Sequence, residues 1–253
     1  MHAKLEDFDS RLLSGSCLDE QMDTVAKFAG QLGFEALVYD YTAIPLDHEG
    51  EVLTPAVLSL RNTPVNWRTL WCSEGYYQID PVQYLATSSI SPFIWSYLPQ
   101  DETILKRHLD RRHAPVSDYL QDARLACGAT IPIHLPRGGL ATLTGLRSHT
   151  SERDLAEARH HLADFSLLAH ALQEAAYPQL LKDGANKTIR LTPRELECLR
   201  WAAEGLTAGQ IAERLHRSLA TISLHLTSAM HKLGAKNRVQ AVARAVHYRL
   251  LDN

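Results

Sequence analysis

Hydrophobic positions recur along this chain with two periods, and the change of period divides it. Over residues 191–251 the apolar positions keep helical spacing, broken by stops into four short helices. Thr192 opens the first, with Pro193 at the first helical position and Glu195 placed to complete a capping box, and Gly205 ends it. Thr207 and Gln210 repeat the device for a helix carrying Ile211, Ala212 and Leu215, which stops near His216. Ser218 caps the third, where Ile222, Leu226, Ala229 and Leu233 share one face before Gly234 closes it. Asn237 and Gln240 start the fourth. The brief turn at Arg217 and Ser218 joins the middle pair as a helix-turn-helix.

Upstream, helical and alternating stretches are interleaved. A helix over roughly Cys17 to Leu32 puts Met22, Val25, Ala26, Ala29 and Leu32 on one side and ends at Gly33. Strands follow at Ala36–Tyr41, Val57–Leu60 and Phe93–Trp95. A hairpin of Gly128–Leu135 and Leu140–Leu146 turns through Pro136-Arg137-Gly138-Gly139. Helices are predicted near Trp67–Tyr76, Val82–Thr87, Glu102–Arg111 and Val116–Ala126. Ser151 with Asp154 is a capping box for a long helix bearing Leu155, Leu162, Phe165, Ala169 and Leu172. Its apolar side packs on the sheet, and its free side either joins a second subunit or stays within the chain. The predicted fold is α+β: an N-terminal α-β-α sandwich with an antiparallel sheet, then a C-terminal four-helix helix-turn-helix domain. The expected boundaries are 1–176 for the first domain, a polar linker over 177–187, and 188–253 for the second.

Charge sharpens the division. From Lys187 onward eleven Lys and Arg face five Asp and Glu, roughly +6, so the whole-chain charge of −3 leaves about −9 on residues 1–186. The C-terminal end suits a polyanion and the rest does not. A chain of 253 residues, 45% of them hydrophobic, has enough apolar side chains for two modest cores. Cys17, Cys72, Cys127 and Cys198 are scattered, which fits a reducing cytoplasm and suggests neither a disulfide framework nor a thiolate metal site. No export signal or membrane span is read from the apolar runs.

Residues 191–251 resemble the C-terminal domain of the LuxR/NarL regulators through LTPRE, the Gly205 stop, QIA, TISLHL, KLG and NRVQAV. A generic four-helix bundle gives no reason to place so many caps and stops in this order. The resemblance implies that the third helix enters a DNA major groove and that bases are read mainly from Ser223, Leu224 and Thr227, flanked by Ser228. Long polar side chains are common there in the family and absent here. Leu224 can touch a thymine methyl, so readout is expected to be shallow and shape-dependent. Arg217, Lys232, Lys236 and Arg238 are the expected phosphate contacts.

Between the second and third strands lie Thr63-Pro64, Trp67, Trp71, Tyr76-Tyr77, Asp80-Pro81 and Trp95. Trp67 and Trp71 are one helical turn apart, a spacing that core packing explains. An ionised Asp80 among aromatics is costly unless something donates hydrogen bonds to it, which keeps a ligand pocket open beside the core reading. Here the chain is similar to the LuxR-type quorum-sensing receptors, whose W-x3-Y-x8-DP pattern, later tryptophan and glycine stand as Trp67, Trp71 in the tyrosine place, Asp80-Pro81, Trp95 and Gly128. By that resemblance Trp67 donates its indole N–H to the lactone carbonyl of an acyl-homoserine lactone and Asp80 accepts the ligand's amide N–H. Thr144 takes the place of a Ser/Thr that bonds the amide region, with Thr130 and Val38 also facing the pocket. Thr63 stands where a tyrosine reaches the acyl carbonyl, and Asp40 stands where the family has something small and uncharged. Tryptophan at position 71 is a feature of members in plant-associated bacteria that answer other signals. A lactone and a different small amphiphile therefore both stay open.

The implied partners are that signal, a pseudo-palindromic promoter site on double-stranded DNA, and a second copy of the chain, with no other cofactor, metal or membrane. Rival functions fit less well. His160 and His161 point apart on a helix, and His108 and His113 lack a metal-ligand spacing, which argues against a metalloenzyme. No acidic pair, central aspartate and late lysine mark a phosphorylation-controlled receiver. A ligand-binding interaction protein with weakened DNA binding has only the neutral reading face in its favour.

Overall fold

The computed structural model describes residues 17–148, 152–182 and 189–251. The Ser151 cap and residues 183–187 of the expected linker, Lys187 among them, lie outside them. The chain divides into two compact units, the first within Met1–Asn186 and the second chiefly Lys187–Asn253.

In the first unit a five-stranded antiparallel sheet runs in the order β2-β1-β5-β4-β3, built from β1 (Ala36–Thr42), β2 (Val57–Arg61), β3 (Phe93–Ser96), β4 (Cys127–His134) and β5 (Leu140–Arg147). Strand alternation sorts β1 between two cores. Leu37, Tyr39 and Tyr41 face one side, where α1 (Leu18–Gln31) and α6 (Leu162–Lys182) cover them with Met22, Val25, Ala29, Phe165, Leu172 and Ala176. Ala36 and Val38 face the other side, among Trp67, Trp71, Tyr77, Val82, Trp95 and Tyr97. Pairing of Val38 with Thr144 and of Asp40 with Thr142 fixes which side chains line this second layer. The hairpin, the three other strands and the antiparallel sandwich follow the predicted plan.

Several elements differ from expectation. The segment predicted as a helix over Trp67–Tyr76 is helical from Trp67 but passes into a π turn over Thr69–Ser73, stopped by Gly75 at φ +82 before the short α2 (Tyr76–Ile79) and α3 (Pro81–Ser88). The predicted helix over Glu102–Arg111 is two 3₁₀ turns, Ile104–Arg107 and Arg111–His113, anchored by the buried Leu105 and His113. A further helix, α4 (Ala114–Asp122), is shorter than its predicted range. Beyond α5 (Glu152–His160), α6 continues through Pro178 to Lys182, taking six residues from the expected linker. The reason is packing: Leu172, Ala176 and Leu180 keep the i, i+4, i+8 face buried past the proline.

The second unit is α7 (Pro193–Ala203), α8 (Ala208–Arg214), α9 (Leu219–Lys232) and α10 (Arg238–His247). Its boundaries are the predicted ones in chemical detail. Thr192 with Glu195 and Thr207 with Gln210 form reciprocal capping boxes, and Ser218 and Asn237 accept from Thr221 N–H and Gln240 N–H.

Gly128 sits where a side chain has no room. A Cβ there would lie 2.3 Å from the Gly145 carbonyl oxygen and 2.8 Å from the Trp95 ring. The Gly128→Ala variant is expected to lose about 1–3 kcal/mol of stability in the first unit, read as an earlier urea midpoint with the second unit's transition unmoved. An unchanged first transition would contradict this packing.

Candidate functional site

Asp80 organises the second layer. Its Oδ1 accepts from the Val82 N–H at 2.9 Å and from the Tyr97 hydroxyl at 2.6 Å, and its Oδ2 accepts from the Trp71 indole at 3.1 Å. Asp80 is thus the N-cap of α3 with Pro81 at the first helical position, so the Asp-Pro pair is also a helix start. Burial pushes the Asp80 carboxyl up, while the bonds from Tyr97, Val82 and Trp71 and the nearby His113 pull it down, the net direction being upward.

Trp67 lies flat on Trp71, ring centroids 4.0 Å apart and planes 9° from parallel. It is 3% exposed, and its indole N–H has no acceptor. The Trp95 indole donates to Thr130 Oγ1 at 2.9 Å, and Thr130 shares a 2.9 Å hydrogen bond with Thr144. Asp40, fully buried, accepts from the Tyr77 hydroxyl at 3.0 Å and from the Thr142 hydroxyl at 2.6 Å. Burial raises the Asp40 carboxyl to about 7 against those two bonds, with the Asp80 charge pushing the same way.

These groups surround a cavity of about 20 Å³. Of the residues singled out in the sequence, Trp67, Trp71, Asp80, Trp95, Thr144 and Val38 line it. Thr130 and Asp40 stand one hydrogen bond behind its wall. Thr63 does not join them; it lines a separate open groove of about 770 Å³ beside β2, with Arg61 and Arg68, because the chain between β2 and Trp67 runs along that edge. Tyr97, bonded to Asp80, and Gln83, on the wall, were missed, and Tyr77 stood in the sequence cluster without a role. Tyr97 had a signal, since it lies two residues beyond Trp95 and so on the same face of an extended segment. Room for one water is what 20 Å³ offers. A larger guest enters by moving side chains, and the stacked indoles are the bulk that fills the space.

In the second unit Ser223, Leu224 and Thr227 are exposed on α9, Leu224 at 67%. The other predicted contacts divide. Arg217 and Lys236 are exposed. Ser228 donates to Glu195 Oε1 at 2.7 Å, and the Lys232 ammonium bonds both Glu195 oxygens at 2.9 and 2.8 Å. Arg238 donates to the Leu206 carbonyl at 2.8 Å. Ser228, Lys232 and Arg238 thus each bond within the unit, Ser228 and Lys232 tying α9 to α7. Burial would raise Glu195, but Lys232, the Thr192 N–H and Ser228 bring it down to about 2. Among the described residues no group of three or more His, Cys, Asp or Glu could hold a metal ion, and no helix is long and apolar enough to cross a membrane.

Residues 18–176 match the family model of the autoinducer binding domain, and residues 190–245 match that of bacterial regulatory proteins, luxR family. The transcriptional activator protein BjaR1 of Bradyrhizobium diazoefficiens is 31% identical over 237 residues, spanning 92% of this chain and 90% of its own. The quorum sensing-dependent transcriptional regulator RpaR of Rhodopseudomonas palustris is 32% identical over 217 residues, 85% of this chain and 81% of its own. The solved structure of Escherichia coli SdiA covers 100% of this chain and 99% of its own with a TM-score of 0.62 at 21% identity, a likeness of fold.

Because Asp40 holds a proton more tightly folded than unfolded, its contribution to stability is fullest below about pH 4 and is lost as pH rises to about 7. Asp80 acts in the same sense, and Glu195 in the opposite sense only below about pH 4.5. The thermal midpoint of the first unit is expected to fall between about pH 4 and pH 7, and Asp40→Asn to flatten the fall, the full effect being at most on the order of 4 kcal/mol. An equal slope in the variant would mean that the ionised carboxylate is well solvated in the fold.

Proposed function

The chain belongs to the luxR family of bacterial regulators that carry an autoinducer-binding domain, and on that footing we propose that it is a ligand-responsive transcriptional regulator. Its first unit binds a small amphiphilic signal, an acyl-homoserine lactone or a relative of one, in the cavity beneath the sheet. Its second unit carries α9 into the major groove of a pseudo-palindromic promoter site, and two copies of the chain act together in the cytoplasm.

The observation that carries the ligand half is the Trp67 indole N–H, buried on the cavity wall without an acceptor. A buried donor left unmade costs about 1–3 kcal/mol, and a guest carbonyl that accepts from it recovers that cost. Around it Trp71, Asp80 and the Thr130–Thr144 pair form a polar rim inside an apolar layer, the composition of a small-molecule site. The DNA half rests on the exposed Ser223, Leu224 and Thr227. With only short side chains there, base readout is by apolar contact and shape, and Arg217 and Lys236 supply phosphate contacts.

Thermal unfolding with acyl-homoserine lactones of graded chain length tests this. A lactone at ~100 times its dissociation constant is expected to add about 2.7 kcal/mol, several degrees in the first unit's midpoint. Trp67→Phe, which keeps the ring and removes the donor, is expected to weaken binding about tenfold. No shift with any lactone would exclude the lactone class, and an undiminished shift in Trp67→Phe would deny that N–H its part.

A further inference from the structure

Two carboxylates stand at this cavity, Asp80 in its wall and Asp40 one hydrogen bond behind it through Tyr77, and neutral amide recognition uses only one. Asp40 lies fully buried on β1, where the ionised form of an acid costs several kcal/mol. Among the described residues its hydrogen-bond partners are two neutral hydroxyls, those of Tyr77 and Thr142, and no lysine, arginine or histidine pairs with it. The groups facing it from the surrounding elements add no positive charge: Tyr77 from α2, Asp80 at the start of α3, Cys72 from the π turn, and Tyr39 on its own strand.

Acceptor capacity separates the two acids. A carboxylate offers about four lone-pair sites. Asp80 already receives three donors, including the backbone N–H that starts α3, whereas Asp40 receives two, both rotatable hydroxyls. Asp40 is also close to the guest space. Tyr77, whose hydroxyl covers Oδ1, lines the cavity, as does Leu58, the cross-strand partner of Asp40. A guest that turns the Tyr77 ring aside to make room uncovers Oδ1.

We propose that Asp40 is a specificity-determining acceptor, which selects a signal bearing a hydroxyl or amino donor in addition to any amide it carries. This rests on the reading of the cavity as the signal site and names the chemistry of the guest. A wholly aliphatic acyl chain would leave Oδ1 without its Tyr77 partner once the ring moves. A guest hydroxyl or ammonium donates in its place, and the ammonium also neutralises the charge shared by Asp40 and Asp80.

The test uses the full chain and three series of acyl-homoserine lactones of equal length, ending in methyl, hydroxyl or ammonium, with dissociation constants from calorimetry. The wild type is expected to bind a donor-ended probe about tenfold or more tightly than its methyl-ended twin at one chain length. Asp40→Ala should erase that ratio, while Asp40→Asn, which keeps the shape and one acceptor oxygen, should keep the hydroxyl preference and lose the ammonium preference. Equal or better binding of the methyl-ended probe by the wild type at every length overturns the proposal and leaves the cavity reading standing. Failure of every probe to bind the wild type overturns the lactone-cavity reading and the proposal with it.

Discussion

The signal-binding half depends on how a carboxylate is kept beneath a sheet of aromatic side chains. Asp80 does so by recruiting one donor from each neighbouring part of the layer: the indole of Trp71, the hydroxyl of Tyr97 and the first free amide of α3. The same three bonds start a helix, orient an indole and tie the chain beyond β3 to the cavity. Removing an acceptor that serves three buried donors strands all of them, so site geometry and fold stability are one quantity here. Trp67 is the exception in this saturated network, and its unmatched N–H is the place where a guest adds a bond without breaking one.

In the DNA-binding unit one buried acid does the comparable work. Glu195 closes the capping box of α7 and then reaches Ser228 and Lys232 on α9, so the reading helix is held to the first helix by ionic bonds as well as by the apolar face of Ile222, Leu226 and Ala229. Lys232, which suited phosphate contact by charge and position, is thereby bonded within the unit. The unpaired positive charge beside the reading face is smaller than the sequence total implies, which suits modest nonspecific affinity with a correspondingly shallow salt dependence.

Local chemistry made most of the second unit legible from sequence. Each helix there begins with a capping residue, and the first and third end at Gly205 and Gly234, with left-handed φ of +89 and +62. The sheet was legible for a similar reason, since alternation and the hairpin turn are short-range signals. What escaped was decided by contacts far apart in the chain. The Trp67–Tyr76 segment is the exception, decided locally: it is helical as its spacing implies, but widens to a π turn over Thr69–Ser73 and stops before Gly75, with the Trp71 indole bonded to Asp80 nine residues on. The α6 helix outruns Pro178 because Leu180 is buried on the sheet. Thr63 had the chemistry of a pocket residue but lies on the outer edge of β2, and Tyr97 had no motif to announce it. Asp40 stood out in sequence only as an unexpected charge; its two hydroxyl partners lie on α2 and β5.

Among the indoles of the cavity wall, Trp71 and Trp95 already have their acceptors and Trp67 alone lacks one. The chain has four tryptophans, so the indole N–H resonances of nitrogen-labelled protein report on each one separately. On titration with a binding signal, the Trp67 resonance is predicted to move downfield as its hydrogen bond forms. Those of Trp71 and Trp95, already donating to Asp80 and Thr130, should hold near their starting positions. A Trp67 resonance that stays in place while the Trp71 resonance moves upfield, away from Asp80, would contradict the account.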